Sequence, residues 1–337
     1  MRDVGMIGAW LAMHAVIGVA GTALARRYAI RKALIDQPDA RRSHAVATPR
    51  GGGIVFAVSG LVAMAWLLCW QPHRTALLLG GMVGLSLVAG VGWRDDHGGL
   101  SARIRLTAHV LAALAVAIGA WQSGAPLPQV GIVAIAIPVL VNVWNFMDGI
   151  DGIAASQALL CALAILLLPA AQMAWLPALA LAAVCAGFLP FNAPRARIFM
   201  GDVGSGSLGF LLAFALLIWP QRLQPFALWV LLLPMSAFLL DASLTLSRRI
   251  VRREPWWSAH VQHLYQRATR ARQQHWPVTL AYAAWTIAGL GVACLLHMRA
   301  PGVIMLGVVG WCLAGAGIWW TTRNWHYLPM QSQGIRS

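Results

Sequence analysis

Charge is scarce in this 337-residue chain: only 10% of residues are charged, and of these just ten are Asp or Glu, against 25 Lys and Arg. No polar stretch longer than about 30 residues exists, which excludes a separate soluble domain of ordinary size. Strands of alternating polarity are also missing, which excludes a membrane β-barrel. The five cysteines, Cys69, Cys161, Cys185, Cys294 and Cys312, sit inside apolar runs with no metal-ligand spacing and no disulfide framework. The formal net charge of +15 is dispersed over short loops and forms no face for nucleic acid, so no nucleic-acid partner is expected.

What is present is hydrocarbon. Hydrophobic residues make up 59% of the chain and mean hydropathy is +0.69. Apolar runs of about 20 residues, the length that carries a helix across a bilayer, recur from end to end. The reading is an all-α polytopic membrane protein of about eleven spans, ten being the alternative, forming one membrane domain over 1–337. The expected spans are 4–24, 52–70, 76–93, 104–121, 128–144, 152–171, 174–190, 205–219, 224–246, 278–297 and 301–320. The first run has some look of a secretory signal, but its length and the basic residues Arg26, Arg27, Arg31 and Lys32 after it favour an uncleaved span.

With the N-terminus outside, only Arg2, Arg74, Arg222 and Arg299 of the basic residues fall on the outer side, as the positive-inside rule requires. The acidic residues follow the same face: Asp3 alone is outside, Asp241 lies near the inner end of a span, and the rest belong to inside loops. The longest inside loop, 247–277, has Arg248, Arg249, Arg252 and Arg253 before Trp256 and Trp257, which suits either an interfacial helix or a catalytic segment.

Ionisable groups beside hydrocarbon are costly and therefore mark function. Asp95, Asp96, Asp148, Asp151 and Asp202 stand at loop borders on the inner face. Asp148 and Asp151 are three apart, so at a helix start both carboxylates would share one side. Hard oxygen donors without a cysteine or histidine cage indicate Mg²⁺, with Mn²⁺ as the alternative, and Mg²⁺ commonly bridges carboxylates to substrate phosphates. Thr48-Pro49-Arg50-Gly51-Gly52-Gly53 and Gly201-Asp202-Val203-Gly204-Ser205 each place glycines at a helix start, where they suit either phosphate binding or close helix packing. His260 and His263 would lie on one helical face and, with Arg267, donate hydrogen bonds to a diphosphate.

In this order the pieces resemble the polyprenyl-phosphate N-acetylhexosamine-1-phosphate transferase superfamily, which includes phospho-MurNAc-pentapeptide translocase. The matching residues run from Asp36-Gln37-Pro38-Asp39 and Arg42-Ser43-His44 through the glycine run, Asp95-Asp96, Asn145 to Gly152, Phe191-Asn192 and Phe199 to Ser205, to the histidine loop. The proline-arginine-glycine run and the His-x-x-His loop are similar to the bacterial branch that starts surface polysaccharides, whereas the translocase more often shows a triple histidine. No third acid follows the Asp-Asp pair, and His109 stands where many relatives have glutamine.

The resemblance implies Mg²⁺-dependent transfer of a sugar 1-phosphate from a UDP-N-acetylhexosamine to undecaprenyl phosphate, with release of UMP, as the first step of O-antigen or another surface polysaccharide. It implies a multi-pass protein of the bacterial inner membrane, N-terminus periplasmic and C-terminus cytoplasmic. By this analogy Asp202 and then Asp148 are the metal ligands, Asp95 holds the lipid-phosphate proton, and Asp96 is its structural or metal partner. Asn145 and Asp151 belong near the nucleotide, and His260, His263 and Arg267 grip the donor diphosphate. Arg50, Arg103 and Arg105 contact the lipid phosphate or the sugar phosphate. The rival readings are a transporter of an anionic solute, whose site would sit nearer the midplane, and the peptidoglycan transferase itself. The small-residue face of Gly80, Gly81 and Gly84 suits packing within the chain or in a homodimer.

Overall fold

The computed structural model describes residues 4–37, 46–168, 175–218, 227–255, 258 and 260–325. Arg2, Asp3, Pro38, Asp39, Arg42, Ser43, His44, Arg222, Trp256 and Trp257, singled out above, lie outside the described residues. Thirteen α-helices are described: α1 Val4–Arg31, α2 Ile54–Trp70, α3 Thr75–Gly98, α4 Ala102–Gln122, α5 Leu127–Met147, α6 Ile153–Leu167, α7 Trp175–Asn192, α8 Gly201–Ile218, α9 Ala227–Leu232, α10 Ser236–Val251, α11 Leu264–Arg272, α12 Trp276–Leu296 and α13 Pro301–Trp325. A two-residue antiparallel ladder, β1 Ile35–Asp36 with β2 Thr48–Pro49, follows α1.

Seven helices are long and apolar enough to cross a membrane, and Ile54–Trp70, Ile153–Leu167 and Gly201–Leu216 are apolar but shorter. The long helices expose large apolar side chains, such as Leu111, Leu114 and Ile118 on α4 and Leu306 and Leu313 on α13. In water such a surface would aggregate; in hydrocarbon it is the solvated face. The protein is an all-α multi-pass membrane protein.

α8 is the central post. It packs against α3, α5 and α2, and Val203, Leu208, Phe210 and Leu212 along it are fully buried. Its glycines permit this, because a Cβ on Gly53, which precedes α2, would overlap the Cα of Gly204. The small residues of α3 serve the same end: a Cβ on Gly80 would strike the carbonyl of Ala115 in α4, and one on Gly84 would strike Phe210 and Ala112. That face is therefore spent on packing within the chain.

The run expected as one span over 224–246 is broken. α9 ends at Leu232, Leu233 to Met235 form a turn, and α10 begins at Ser236; Pro234 cannot donate to a helix ladder, which is why the break falls there. Neighbours satisfy the freed polar groups, as they must at membrane depth. Ser236 Oγ donates to the carbonyl of Leu233 and accepts from Trp285 Nε1 at 3.0 Å and Trp311 Nε1 at 2.8 Å. The segment 247–277 is likewise not one long loop, since α10 runs through Val251 and α11 occupies Leu264–Arg272.

Candidate active site

The first turn of a helix leaves backbone N–H groups without partners, and α8 begins at a glycine with no capping side chain of its own. Asp96, on the last turn of α3 and only 3% exposed, supplies the missing acceptor. Its two oxygens accept from the N–H of Asp202 at 3.0 Å and of Val203 at 3.1 Å. Gly201 has φ +73°, and a side chain there would run into the Asp96 carboxylate. Asp96 thus caps α8 from the end of α3.

Asp95 turns the other way. One of its oxygens accepts from the N–H of Leu100, and the other lies 3.1 Å from Arg105 Nη1. The same Nη1 is 2.6 Å from Asp202 Oδ2, so one guanidinium on α4 bridges carboxylates from α3 and α8. Arg50 pairs with buried Asp36 at 4.0 Å and acts electrostatically on Asp96. Asn145, at the end of α5, donates to Ser205 Oγ in the first turn of α8 at 3.2 Å. Arg103 is exposed on the first turn of α4, with no side-chain hydrogen bond among the described residues.

The glycine run does not present a row of free amides. The N–H of Gly52 and of Gly53 donate to the carbonyls of Phe199 and Met200 at 3.0 and 2.9 Å, and that of Phe199 returns to Pro49 at 2.8 Å. Of the two readings left open for these glycines, close packing describes Gly52 and Gly53, where a Cβ would strike Ile198 and Gly204, while Gly51 has open space and φ +92°.

Asp148 and Asp151 do not open a helix. Asp148 caps the C-terminus of α5, and Gly152 precedes α6 in the left-handed region at φ +73°. Their carboxylates part company: Asp151 lies 3.2 Å from His275 Nδ1 at the start of α12, while its carbonyl accepts from Thr279 Oγ1. Asp148 has no side-chain hydrogen bond among the described residues, although it faces the field of Asp202 and Asp96. Burial first, then those carboxylates and Asp151, hold its carboxyl well above the usual range.

The histidines are likewise not on a helical face. His260 to Gln262 are irregular, and His263 caps α11 with Gln266 in a reciprocal capping box. His263 stacks on Phe146 with ring centroids 6.1 Å apart, and His260 lies 4.9 Å from His263. Burial, helped by His263 and Arg249, lowers the pKa of His260 to about 4. The ring is therefore neutral near pH 7; its Nδ1 accepts from the N–H of Gln262 at 3.4 Å, which assigns the proton to Nε2. Arg267 faces α13, donating to the carbonyl of Arg323 at 3.3 Å. Arg249 is buried, not an interfacial anchor; it organises the loop through Glu254, the carbonyl of Pro255 and Ser258.

Sequence reasoning passed over Tyr265, His275 and Thr279. Tyr265, fully buried on α11, donates from Oη to the carbonyl of Phe146 at 2.9 Å, beside Asp148. The only signal for it was a tyrosine in an otherwise basic helix.

Among the described residues, no three His, Cys, Asp or Glu side chains form a ready metal cage. A hard divalent ion needs less, since one or two carboxylates plus substrate phosphates suffice. Asp148, without a side-chain hydrogen bond among the described residues, and Asp202, 29% exposed at the start of α8, fit that demand. Asp96 and Asp95 are less open, since each of their oxygens already accepts a hydrogen bond from a backbone N–H group or from Arg105. The arrangement suits binding and neutralising phosphates at one end of the helix bundle.

The profile of glycosyl transferase family 4 matches residues 78–220. The chain is 30% identical to a decaprenyl-phosphate N-acetylglucosaminephosphotransferase of Mycobacterium leprae, over 92% of this chain and 88% of that protein. It is 28% identical to a probable undecaprenyl-phosphate N-acetylglucosaminyl 1-phosphate transferase of Bacillus subtilis, over 73% and 72%. A phospho-N-acetylmuramoyl-pentapeptide-transferase of Deinococcus radiodurans is 29% identical over 73% and 83%. The matched core holds the Asp95–Arg105–Asp202 bridge and Asp148, and the similarity to the mycobacterial protein extends over nearly the whole chain. The chain belongs to glycosyl transferase family 4, in the superfamily of polyprenyl-phosphate sugar-phosphate transferases, and is a phosphotransferase enzyme.

Proposed function

We propose that the protein transfers an N-acetylhexosamine 1-phosphate from a UDP-sugar to undecaprenyl phosphate at the inner face of the bacterial cytoplasmic membrane. The observation that carries this reading is the meeting of Asp202, Asp148 and Arg105 at one end of the bundle, where helices α3, α5 and α8 converge. The relatives named for N-acetylglucosamine phosphate transfer support the donor class and the polyprenyl phosphate acceptor. The peptidoglycan reaction is the weaker reading, because the pentapeptide transferase matches less of the chain than the mycobacterial relative does. The product then begins O-antigen or another surface polysaccharide. The basic residues gathered on the same side as the site favour a cytoplasmic face, with the N-terminus periplasmic and the C-terminus cytoplasmic.

In this reaction a phosphate oxygen of the acceptor forms a bond to the β-phosphorus of the donor. The bond from that phosphorus to the bridging oxygen breaks, and UMP leaves with the electron pair. Two anions must approach in line, so positioning and neutralisation dominate the barrier. Arg105 and Arg50 supply fixed positive charge, and Asp95 and Asp202 hold the Arg105 guanidinium in place. The acceptor phosphate is already ionised near neutral pH, and both Asp95 oxygens are engaged, so Asp95 orients Arg105 and no separate base is required. The His260 Nε2–H is available to donate to the donor diphosphate. Mg²⁺, or Mn²⁺ in its place, held by Asp202 and Asp148, would polarise the phosphoryl oxygens and offset their charge.

The test is nucleotide release by the purified protein given undecaprenyl phosphate, Mg²⁺ and a panel of UDP-amino sugars, with EDTA as control. Metal-dependent UMP with a lipid-linked sugar diphosphate is expected. Release of UDP, which would mean ordinary glycosyl transfer, or no nucleotide from any donor, overturns the reading.

A further inference from the structure

Asp241 belongs to none of the motifs at the site, yet it is the most heavily bonded carboxylate described. It sits in α10, 2% exposed. Its Oδ1 accepts from the N–H of Leu264 at 2.8 Å, from Thr245 Oγ1 at 3.1 Å and from Trp319 Nε1 at 3.2 Å. Its Oδ2 accepts from the N–H of Tyr265 at 3.2 Å and from Tyr282 Oη at 2.7 Å. His263 Nδ1 approaches to 3.8 Å. A carboxylate has about four lone-pair sites, so these donors from α10, α11, α12 and α13 saturate it. It has no capacity left for substrate or metal.

Its chemistry is instead that of a helix cap supplied from another element. α11 is nine residues long and polar, too short to persist by itself, and Asp241 takes the two N–H groups that open it. The first turn so fixed is the part of α11 that reaches the site. Tyr265 Oη donates to the carbonyl of Phe146, and the Tyr265 ring fills the space over Gly149. His263 stacks on Phe146 from the other side of the cap. Phe146 and Gly149 bracket Asp148 in sequence, so the carboxylate in α10 and the carboxylate at the end of α5 are joined through one rigid helical turn.

We propose that Asp241 is a positioning residue for sugar-phosphate transfer: by capping α11 it holds Tyr265 and His263 against the 146–149 segment and thereby fixes Asp148. This rests on the reading of Asp148 as a site carboxylate. Two variants separate the links. Asp241→Asn leaves one opening N–H of α11 without an acceptor. Tyr265→Phe keeps the cap and cuts only the bond to Phe146.

Hydrogen exchange on the full-length protein in detergent reads the coupling directly. Asp241→Asn should speed exchange about tenfold both at 264–267 and at 146–149, and Tyr265→Phe at 146–149 alone, as loss of one buried hydrogen bond predicts. With UDP-N-acetylglucosamine and undecaprenyl phosphate, each variant should lower kcat about tenfold while the KM for undecaprenyl phosphate stays within about twofold. The double variant should match the more impaired single one, because both act through the same turn. Tyr282→Phe, which removes one donor and keeps the carboxylate, serves as the milder variant if Asp241→Asn does not fold, and should raise exchange at 264–267 and 146–149 in the same pattern. Unchanged exchange at 146–149, or a double variant whose losses multiply, overturns the proposal. A fall in yield alone, with kcat per folded molecule unchanged, also overturns it. An inactive wild-type protein would count against the functional reading, while the exchange data would still decide the coupling.

Discussion

Replacing Asp96 with alanine strips two N–H groups, the part-buried one of Asp202 and the buried one of Val203, of acceptors 3.0 and 3.1 Å away. An unsatisfied buried donor costs about 1–3 kcal/mol, so the pair costs roughly 2–6 kcal/mol, reduced where α8 relaxes. Large domains shift by about 2 °C for each kcal/mol, which places the apparent melting midpoint roughly 4–12 °C below wild type. Asp96→Asn keeps one acceptor and turns its amide toward the other N–H, and should fall between the two. The assay is thermal unfolding of the purified protein in one detergent, at one pH and without divalent ions, alongside turnover. Because Asp202 heads the same helix, turnover should fall further than folding does. An alanine variant that melts within about 1 °C of wild type would refute the capping role of Asp96 and the account of why α8 starts where it does.

Asp202→Ala and Asp148→Ala should each reduce turnover by more than about a hundredfold while leaving a folded protein, if they hold the metal; near-normal turnover in a folded Asp202→Ala variant would remove the metal assignment. The raised Asp148 carboxyl carries a stability consequence of definite sign. The folded state there binds its proton more tightly than the unfolded chain, so metal-free protein should lose stability as pH rises from the usual carboxylate range through the raised value. Asp148→Asn should flatten that slope, measured by melting in EDTA across pH. For orientation, cysteines at Gln274 and Gln122, in a background without the exposed Cys69 and Cys294, should label from opposite sides of the membrane, Gln274 from the cytoplasm. Labelling of both from one side would refute the topology.

The sequence reveals the helices and the gathering of carboxylates at one end because both follow from runs and alternation. Each apolar run must cross, so successive loop borders return to the same face, and Asp95, Asp96, Asn145, Asp148 and Asp202 meet there. The division of labour among them is not legible, since it depends on which carboxylate meets a backbone N–H. Asp95 and Asp96 are adjacent, yet one holds an arginine and the other caps a helix. The spacing of Asp148 and Asp151 suggests a helical side only if a helix begins there; the left-handed Gly152 delays α6 and sends Asp151 to His275. The histidine pair fails as a helical face for a similar reason, because α11 begins after His263. Arg267 looks from spacing like a companion of the histidines, but its bond to Arg323 joins residues far apart in sequence.

The order in which the chain is made gives the Asp241 cluster another meaning. Asp241 enters the membrane before its partners Leu264, Tyr265, Tyr282 and Trp319, and the last of these lies in the last helix described. Until α13 is in place, that buried carboxylate lacks one of its donors. Trp319 thus ties the last helix described to the carboxylate that caps α11, so the turn over the site is braced by a segment made after the helices that carry the site.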